Sequence, residues 1–197
     1  MGKLKKDFYL RSDVTAIARD LLGKALITNV NGKLTSGIIV ETEAYSWREK
    51  ACHAYQQRRT ARTEVMFGAG GHAYVYLCYG IHHLFNIVTN ECNVAEAVLV
   101  RAVEPDRGAA HILQRTGVQA LTRVTSGPGK LTRALGIDSA CNGQSLLAKN
   151  IWLEDVGYAV PPHSIKADVR VGVDYAGADA LLPWRFLIAN NAWVSKK

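Results

Sequence analysis

Residues 39–45 read Ile-Val-Glu-Thr-Glu-Ala-Tyr. Along an extended strand, alternation sends Ile38, Val40, Thr42 and Ala44 to one face and Ile39, Glu41, Glu43 and Tyr45 to the other. The second face then carries two carboxylates, roughly 6.6 Å apart at the strand rise, beside an aromatic ring. A glutamate in a strand most often marks a solvated edge. Two carboxylates near this separation also suit the acid and base of a glycoside hydrolase. Such a pair must bracket the scissile bond, however, and groups on one face of one strand approach from one side. One carboxylate acting as a base toward water, with the other held by a structural partner, fits the spacing better.

A second chemical pattern lies in His-Ala-Tyr-Val-Tyr-Leu-Cys-Tyr-Gly, residues 72–80. Ala73, Val75, Leu77 and Tyr79 share one face, and Tyr74, Tyr76 and Cys78 the other. Tyr79 sits beside Gly80, where the chain turns. A tyrosine at a hairpin tip is badly placed for a core and well placed for insertion between base pairs. Flat rings such as Tyr76 suit stacking on an extruded base; the plainer alternative is a half-buried ladder with its hydroxyls at the rim. The chain has 24 Lys and Arg against 17 Asp and Glu, a net charge of +7, which suits a polyanionic partner. Arg58, Arg59, Arg62, Arg107, Arg115, Arg123, Lys130 and Arg133 form the pool for phosphate contacts. Within it Arg62 and Lys130, together with Ser126, are expected at the DNA backbone. Ser-Gly-Pro-Gly-Lys, residues 126–130, delivers Lys130 at a helix start, where backbone N–H groups also favour an anion.

These groups need elements to hold them. Ser12 and Asp13 are capping residues ahead of Val14, Ile17, Leu21 and Leu22 at helical spacing, with Gly23 as the stop. Asn31-Gly32 predicts a hairpin between two strands, the second carrying the two glutamates. Residues 46–71 are polar and arginine-rich and predict a long loop with a helical turn. Two strands around Tyr79-Gly80 follow, then a strand in residues 93–105, a helix over 108–114, and a Gly-Pro loop feeding a short helix that ends at Gly136. Asp168–Val173 and Trp184–Ser195 predict a return to strands. The pattern implies one α+β domain over residues 1–197: a curved, mainly antiparallel sheet with flanking helices and a protruding hairpin.

Composition excludes several classes. The chain is 48% hydrophobic and 21% charged, with no apolar run long enough to span a bilayer. The N-terminal residues lack a signal peptide's apolar segment and a myristoylation signal's Ser or Thr at position six, so a cytoplasmic, nucleoid-associated monomer is expected. Four cysteines without a CxxC pair read as thiols rather than a disulfide framework or zinc knuckle. His82-His83 lacks a third ligand at helpful spacing, so no metal is expected.

Taken in order, Val-Glu-Thr-Glu-Ala-Tyr, His53, residues 60–80, Asn86, Val-Leu-Val-Arg-Ala-Val-Glu-Pro at 98–105 and Ser-Gly-Pro-Gly-Lys-Leu at 126–131 resemble the alkyladenine (3-methyladenine) DNA glycosylases in their bacterial form. The resemblance runs from about residue 6 to the C-terminal Arg-Phe-Leu-Ile and Trp-Val-Ser. It implies a single α/β domain with a protruding hairpin, acting without metal or organic cofactor on double-stranded DNA that contains alkylated or deaminated purines. By the resemblance, Glu43 is the general base that activates water, and His53 and Arg101 help to hold that water. Tyr45, His53 and Tyr76 sandwich the flipped base. Tyr79 fills the gap the base leaves, and Asn86 opposes the amino group of normal guanine. Glu41 receives no catalytic role and is expected to hold an arginine. The chain departs from some relatives in residues 46–52, which lack an acidic, glycine-containing spacer, and in its two histidines after Ile81.

The chemistry is consistent with these assignments. Base departure leaves a cationic sugar, and a carboxylate both deprotonates water and favours that charge. Cations at Arg101 and His53 would favour its ionised form. No lysine sits beside the strand motif to form a Schiff base, so a monofunctional enzyme leaving an abasic site is expected. The competing readings are a non-catalytic nucleic-acid-binding module, which has no use for Glu43, and a nucleoside or glycoside hydrolase, which has no use for Tyr79.

Overall fold

The computed structural model describes residues 1–195. Nine strands run in chain order as β1 (Gly2–Lys3), β2 (Ala25–Val30), β3 (Lys33–Ser46), β4 (Ala73–Cys78), β5 (His82–Thr89), β6 (Glu96–Pro105), β7 (Ile151–Asp155), β8 (Ile165–Asp168) and β9 (Arg185–Ile188). The α-helices are α1 (Lys6–Tyr9), α2 (Val14–Asp20), α3 (Ala109–Thr116) and α4 (Pro128–Leu135). The sheet order is β1-β7-β2-β3-β6-β5-β4, with β9 also on β3 and β8 on β9, and every named pair is antiparallel. The fold is α+β, as the sequence implies.

Strand β3 is interior, not a solvated edge. One side of it pairs with β6. The other pairs with β2 through Lys33–Ile38 and with β9 through Glu41–Glu43. Its register against β6 shifts on both sides of Glu41, which faces Ala102 while Arg101 is passed over. The shift interrupts strict alternation, so Ile39 joins Val40 and Ala44 in the main core instead of following the glutamates. Helix α2 covers that core with Val14, Ile17 and Ala18, and Thr42 Oγ1 donates to the Ala18 carbonyl at 2.8 Å, fixing the strand to the helix.

The register aligns one row across six strands. Tyr74 of β4 lies opposite Asn86 of β5, Asn86 opposite Leu99 of β6, and Leu99 opposite Glu43 of β3; Glu43 then faces Arg185 of β9, and Arg185 faces Asp168 of β8. Directly opposed residues share a sheet face. Aromatic, amide, acid and base are therefore brought to one surface by backbone pairing.

The Asn31-Gly32 hairpin and the Tyr79-Gly80 turn form as expected, with positive φ at all four residues (53°, 73°, 49° and 72°). Helix α3 starts one residue late, because Gly108 is its left-handed cap, and α4 ends at Gly136 as expected. The long loop holds two 3₁₀ turns, Tyr55–Gln57 and Glu64–Phe67. Two expectations fail. Strand β8 stops at Asp168, and residues 169–173 form a loop, because Val171 N–H and the Arg170 side chain bind other side chains and a carbonyl rather than a neighbouring strand. Strand β9 covers only Arg185–Ile188 of the expected C-terminal strand.

Of the two capping candidates, Asp13 does the work: its Oδ1 accepts from Thr15 N–H at 2.9 Å and Ala16 N–H at 3.0 Å. Hydrogen bonding from Thr15 holds its carboxyl below the usual aspartate range. Asp13→Ala should lower stability by about 1 kcal/mol at pH 7, and Ser12→Ala should leave it unchanged. Because the folded-state value is depressed, the difference should vanish as pH falls through it, as read by thermal melts across pH.

Candidate active site

Glu43 sits in a closed shell of donors. Its Oε1 accepts from Val171 N–H at 2.7 Å and lies 3.2 Å from Arg101 Nη1. Its Oε2 accepts from the Tyr45 hydroxyl at 2.8 Å. The side chain has 0% exposure. Burial of an ion costs several kcal/mol unless it is paired and hydrogen-bonded, and here each oxygen has a partner. The carboxylate does not itself line the cavity above it, in contrast to the open, pocket-facing group that its place in the motif suggests. The cause is local: Tyr45, two residues along the same face, folds its hydroxyl back over Oε2.

Glu41 is equally buried and holds more than one arginine. Arg101 Nε and Arg185 Nη1 each lie 3.0 Å from its Oε1, while Ser195 supplies its N–H to Oε2 at 2.8 Å and its hydroxyl to Oε1 at 3.0 Å. Arg185 also binds Asp168 Oδ2 at 2.8 Å. Arg101 thus bridges the two glutamates, anchored through one and presented to the other.

Over this floor opens a cavity of about 690 Å³. Its lining includes Tyr45, His53, Arg62, Tyr76, Tyr79, Asn86, Arg101 and Lys130, so eight of the ten expected residues meet at one opening. Glu43 lies beneath it, and Ser126 adjoins its Gly127–Lys130 wall. His53 meets Tyr76 edge-on, with ring centroids 4.7 Å apart, and its Nδ1 is 2.9 Å from the Tyr74 hydroxyl. Arg62 approaches His53 Nε2 at 3.4 Å and stacks over Tyr76 at 4.7 Å. Arginine can only donate, so Nε2 accepts and Nδ1 carries the proton toward Tyr74. Desolvation, reinforced by Arg62, pushes His53 down to about 4. The imidazole is neutral at physiological pH, so it does not add the positive charge toward Glu43 that the sequence reading assigned to it. That charge comes from Arg101.

Asn86 is buried and donates Nδ2–H to the Tyr74 carbonyl at 3.1 Å, which fixes its amide at the cavity wall. At the tip of the β4–β5 hairpin, Tyr79 is 90% exposed, flanked by Leu77 and by Ile81 at 72%. A non-glycine residue at positive φ costs roughly 1–2 kcal/mol, and nothing in the core repays it. Lys130 lies in the first turn of α4, and the buried Ser126 Oγ just before that helix has no hydrogen-bond partner among the described residues. His82 packs against Gly129, and no three His, Cys, Asp or Glu side chains among the described residues form a metal-ligating group. No helix among them is long and apolar enough to cross a membrane.

Several contributors escaped the sequence reading. Arg170 makes a two-pronged ion pair with Glu49 at 2.8 and 2.9 Å and stacks over Tyr45 at 4.8 Å. Tyr175 stands at the rim, 69% exposed, its hydroxyl on the Ala51 carbonyl at 3.1 Å. Arg170, Val171, Arg185 and Ser195 lie more than 120 positions from the glutamates they serve. No local pattern announces them.

Residues 7–192 match the methylpurine-DNA glycosylase family. A protein of Carboxydothermus hydrogenoformans is 46% identical over 194 residues, covering 98% of this chain and 99% of its own. One from Chlamydia felis is 44% identical over 197 residues, covering 98% and 99%. One from Bacillus cereus is 44% identical over 199 residues, covering 96% and 97%. All three are provisionally named 3-methyladenine DNA glycosylase. With a buried glutamate pair bridged by arginine under a ring-lined cavity, and this likeness along nearly its whole length, the chain belongs to the methylpurine-DNA glycosylase family and is a DNA glycosylase.

Proposed function

We propose that the protein removes alkylated purines of the 3-methyladenine type from duplex DNA, flipping the nucleotide into the cavity and hydrolysing its N-glycosidic bond with a water activated by Glu43. The observation that carries this reading is the stacking of layers: Tyr45, His53 and Tyr76 around the cavity, with the Arg101–Glu43 pair directly beneath. The relatives' names point to the same substrate class.

In this scheme Tyr79, held out by its turn, enters the duplex and fills the space of the extruded nucleotide. The base passes between Tyr45 and the Tyr76–His53 pair, where a cationic alkylated purine gains roughly 0.5–2 kcal/mol per ring over a neutral one. The fixed Asn86 amide opposes a guanine amino group. As water attacks the anomeric carbon, its proton passes to Glu43. The bond to the purine nitrogen breaks with its electron pair, so a positively charged base leaves neutral. Arg101, tied to Glu41, holds Glu43 in place and remains a cation throughout. An abasic site is left, because Lys130, the lysine on the cavity lining, is engaged by phosphate rather than by the sugar. Phosphates flanking the site meet Lys130, the first amides of α4 and, once moved off Tyr76, Arg62; the Ser126 hydroxyl, buried just before that helix, would reach a phosphate only if the Gly127–Lys130 wall shifted.

Glu43→Gln should lower single-turnover excision from methylated duplex by about 10²–10⁴-fold while gel-shift binding persists; retained excision would remove Glu43 from the role of base. Tyr79→Ala should lower excision from duplex about tenfold or more, the scale of one stacked ring, and spare a single-stranded substrate. Equal losses on both would end the wedge assignment. Since His53 is neutral until about pH 4, the pH profile of kcat/KM should show no His53 inflection near 6.5. An inflection there that His53→Gln abolishes would contradict the neutral ring.

A further inference from the structure

Hydrolysis by this route needs a water on Glu43, yet the carboxylate is fully buried and both oxygens are taken. Two of its three partners are fixed. Val171 contributes a backbone amide, and Arg101 is anchored at Glu41 and Ser195. The third is different. Tyr45 lines the cavity, its hydroxyl makes no other hydrogen bond among the described residues, and it sits on the one oxygen that neither fixed partner uses. An ionised carboxylate only accepts, so the phenol must be the donor. Burial, and then the Glu43 charge, push its pKa well above the usual tyrosine value, so it stays a donor over the working pH range.

Resting on that functional reading, we propose that Tyr45 couples base recognition to catalysis: its hydroxyl covers Glu43 Oε2 in the free protein, and a purine docking on its ring displaces the hydroxyl and opens that place to the attacking water. The ring that reads the base and the group that covers the carboxylate belong to one rigid side chain, so a swing of the ring about χ1 moves the hydroxyl with it, whereas rotation about χ2, on whose axis the oxygen lies, does not. Behind the ring, the Arg170 guanidinium at 4.8 Å, itself clamped by Glu49, sets a stop that returns it to the covered position. A weakly stacking, undamaged purine would leave Oε2 covered even when it enters the cavity. Selection would then act on the nucleophile as well as on the substrate.

Tyr45→Phe keeps the ring and deletes the cover. The readout is the ratio of single-turnover release of 3-methyladenine from a methylated duplex to release of normal adenine from the same unmethylated duplex, whatever the absolute rates become. The ratio is expected to fall at least about tenfold, the worth of one hydrogen bond to a charged group. A ratio that rises, or stays within about threefold of the unmodified protein, overturns the proposal. So does loss of all release by a variant that melts normally and still binds DNA, because the hydroxyl would then be needed rather than obstructive. Should Tyr45→Phe not fold, Tyr45→Trp offers a ring without the hydroxyl and is read in the same way. Glu43→Gln separates the two claims. If it retains release, the base assignment fails; if it is inactive while the Tyr45→Phe ratio holds, only the cover fails.

Discussion

The site depends on a buried charge cluster in which Glu41 and Glu43 share Arg101, and Arg185 joins Glu41 to Asp168. Ions of this kind are poor stabilisers of a fold, because desolvation consumes most of their mutual attraction. Removing one partner is another matter: an uncompensated buried charge costs roughly 3–5 kcal/mol. The cluster is therefore hard to dismantle piecemeal. It fixes the Arg101 guanidinium through Glu41 and Ser195 and leaves Nη1 directed toward Glu43. The shift of register at Glu41 and the passing over of Arg101 in the ladder belong to the same arrangement.

Around this cluster the cavity is built from aromatic rings that already carry cations. Arg62 lies over Tyr76 and Arg170 over Tyr45, at 4.7 and 4.8 Å. The two differ in kind. Arg170 is buried and matched by Glu49, so its charge is largely spent and it serves as a backstop. Arg62 is exposed and has no carboxylate partner among the described residues, so it can leave its ring when a phosphate or a cationic base competes. In the free protein each of the two rings has one face covered by one of the protein's own planar cations.

Much of this was legible in the sequence, where the governing physics is local. Alternation in Ile-Val-Glu-Thr-Glu-Ala-Tyr put both acids and Tyr45 on one side, and they are found bound into one network. Tyr79-Gly80 announced a turn with an exposed ring, and Asp13 a helix start. What could not be read is what depends on distant partners. The burial of Glu43 arises from Val171, 128 positions away, and from strands on both sides of β3. A glutamate on an alternating strand has the same local signature whether its neighbours across the sheet are solvent or arginine. The stretch from Asp168 to Val173 misled for a related reason: its apolar alternation suits a strand, but its donors are claimed by Glu43, Glu49 and Ala44. His53 lies on the cavity lining but is neutral rather than cationic, since spacing carries no information about desolvation or about Arg62.

The row that runs from Tyr74 through Asn86 and Leu99 to Glu43 has a geometric corollary. Asn86 and Glu43 stand two strands apart, a span of roughly 9–10 Å at the usual interstrand spacing. That interval is set by main-chain hydrogen bonds, and no side chain along the way can lengthen or shorten it. The sheet works as a ruler with the Asn86 amide at one mark and the Glu43 carboxylate at another. Rings around the opening can change in identity while the separation between the two marks stays constant.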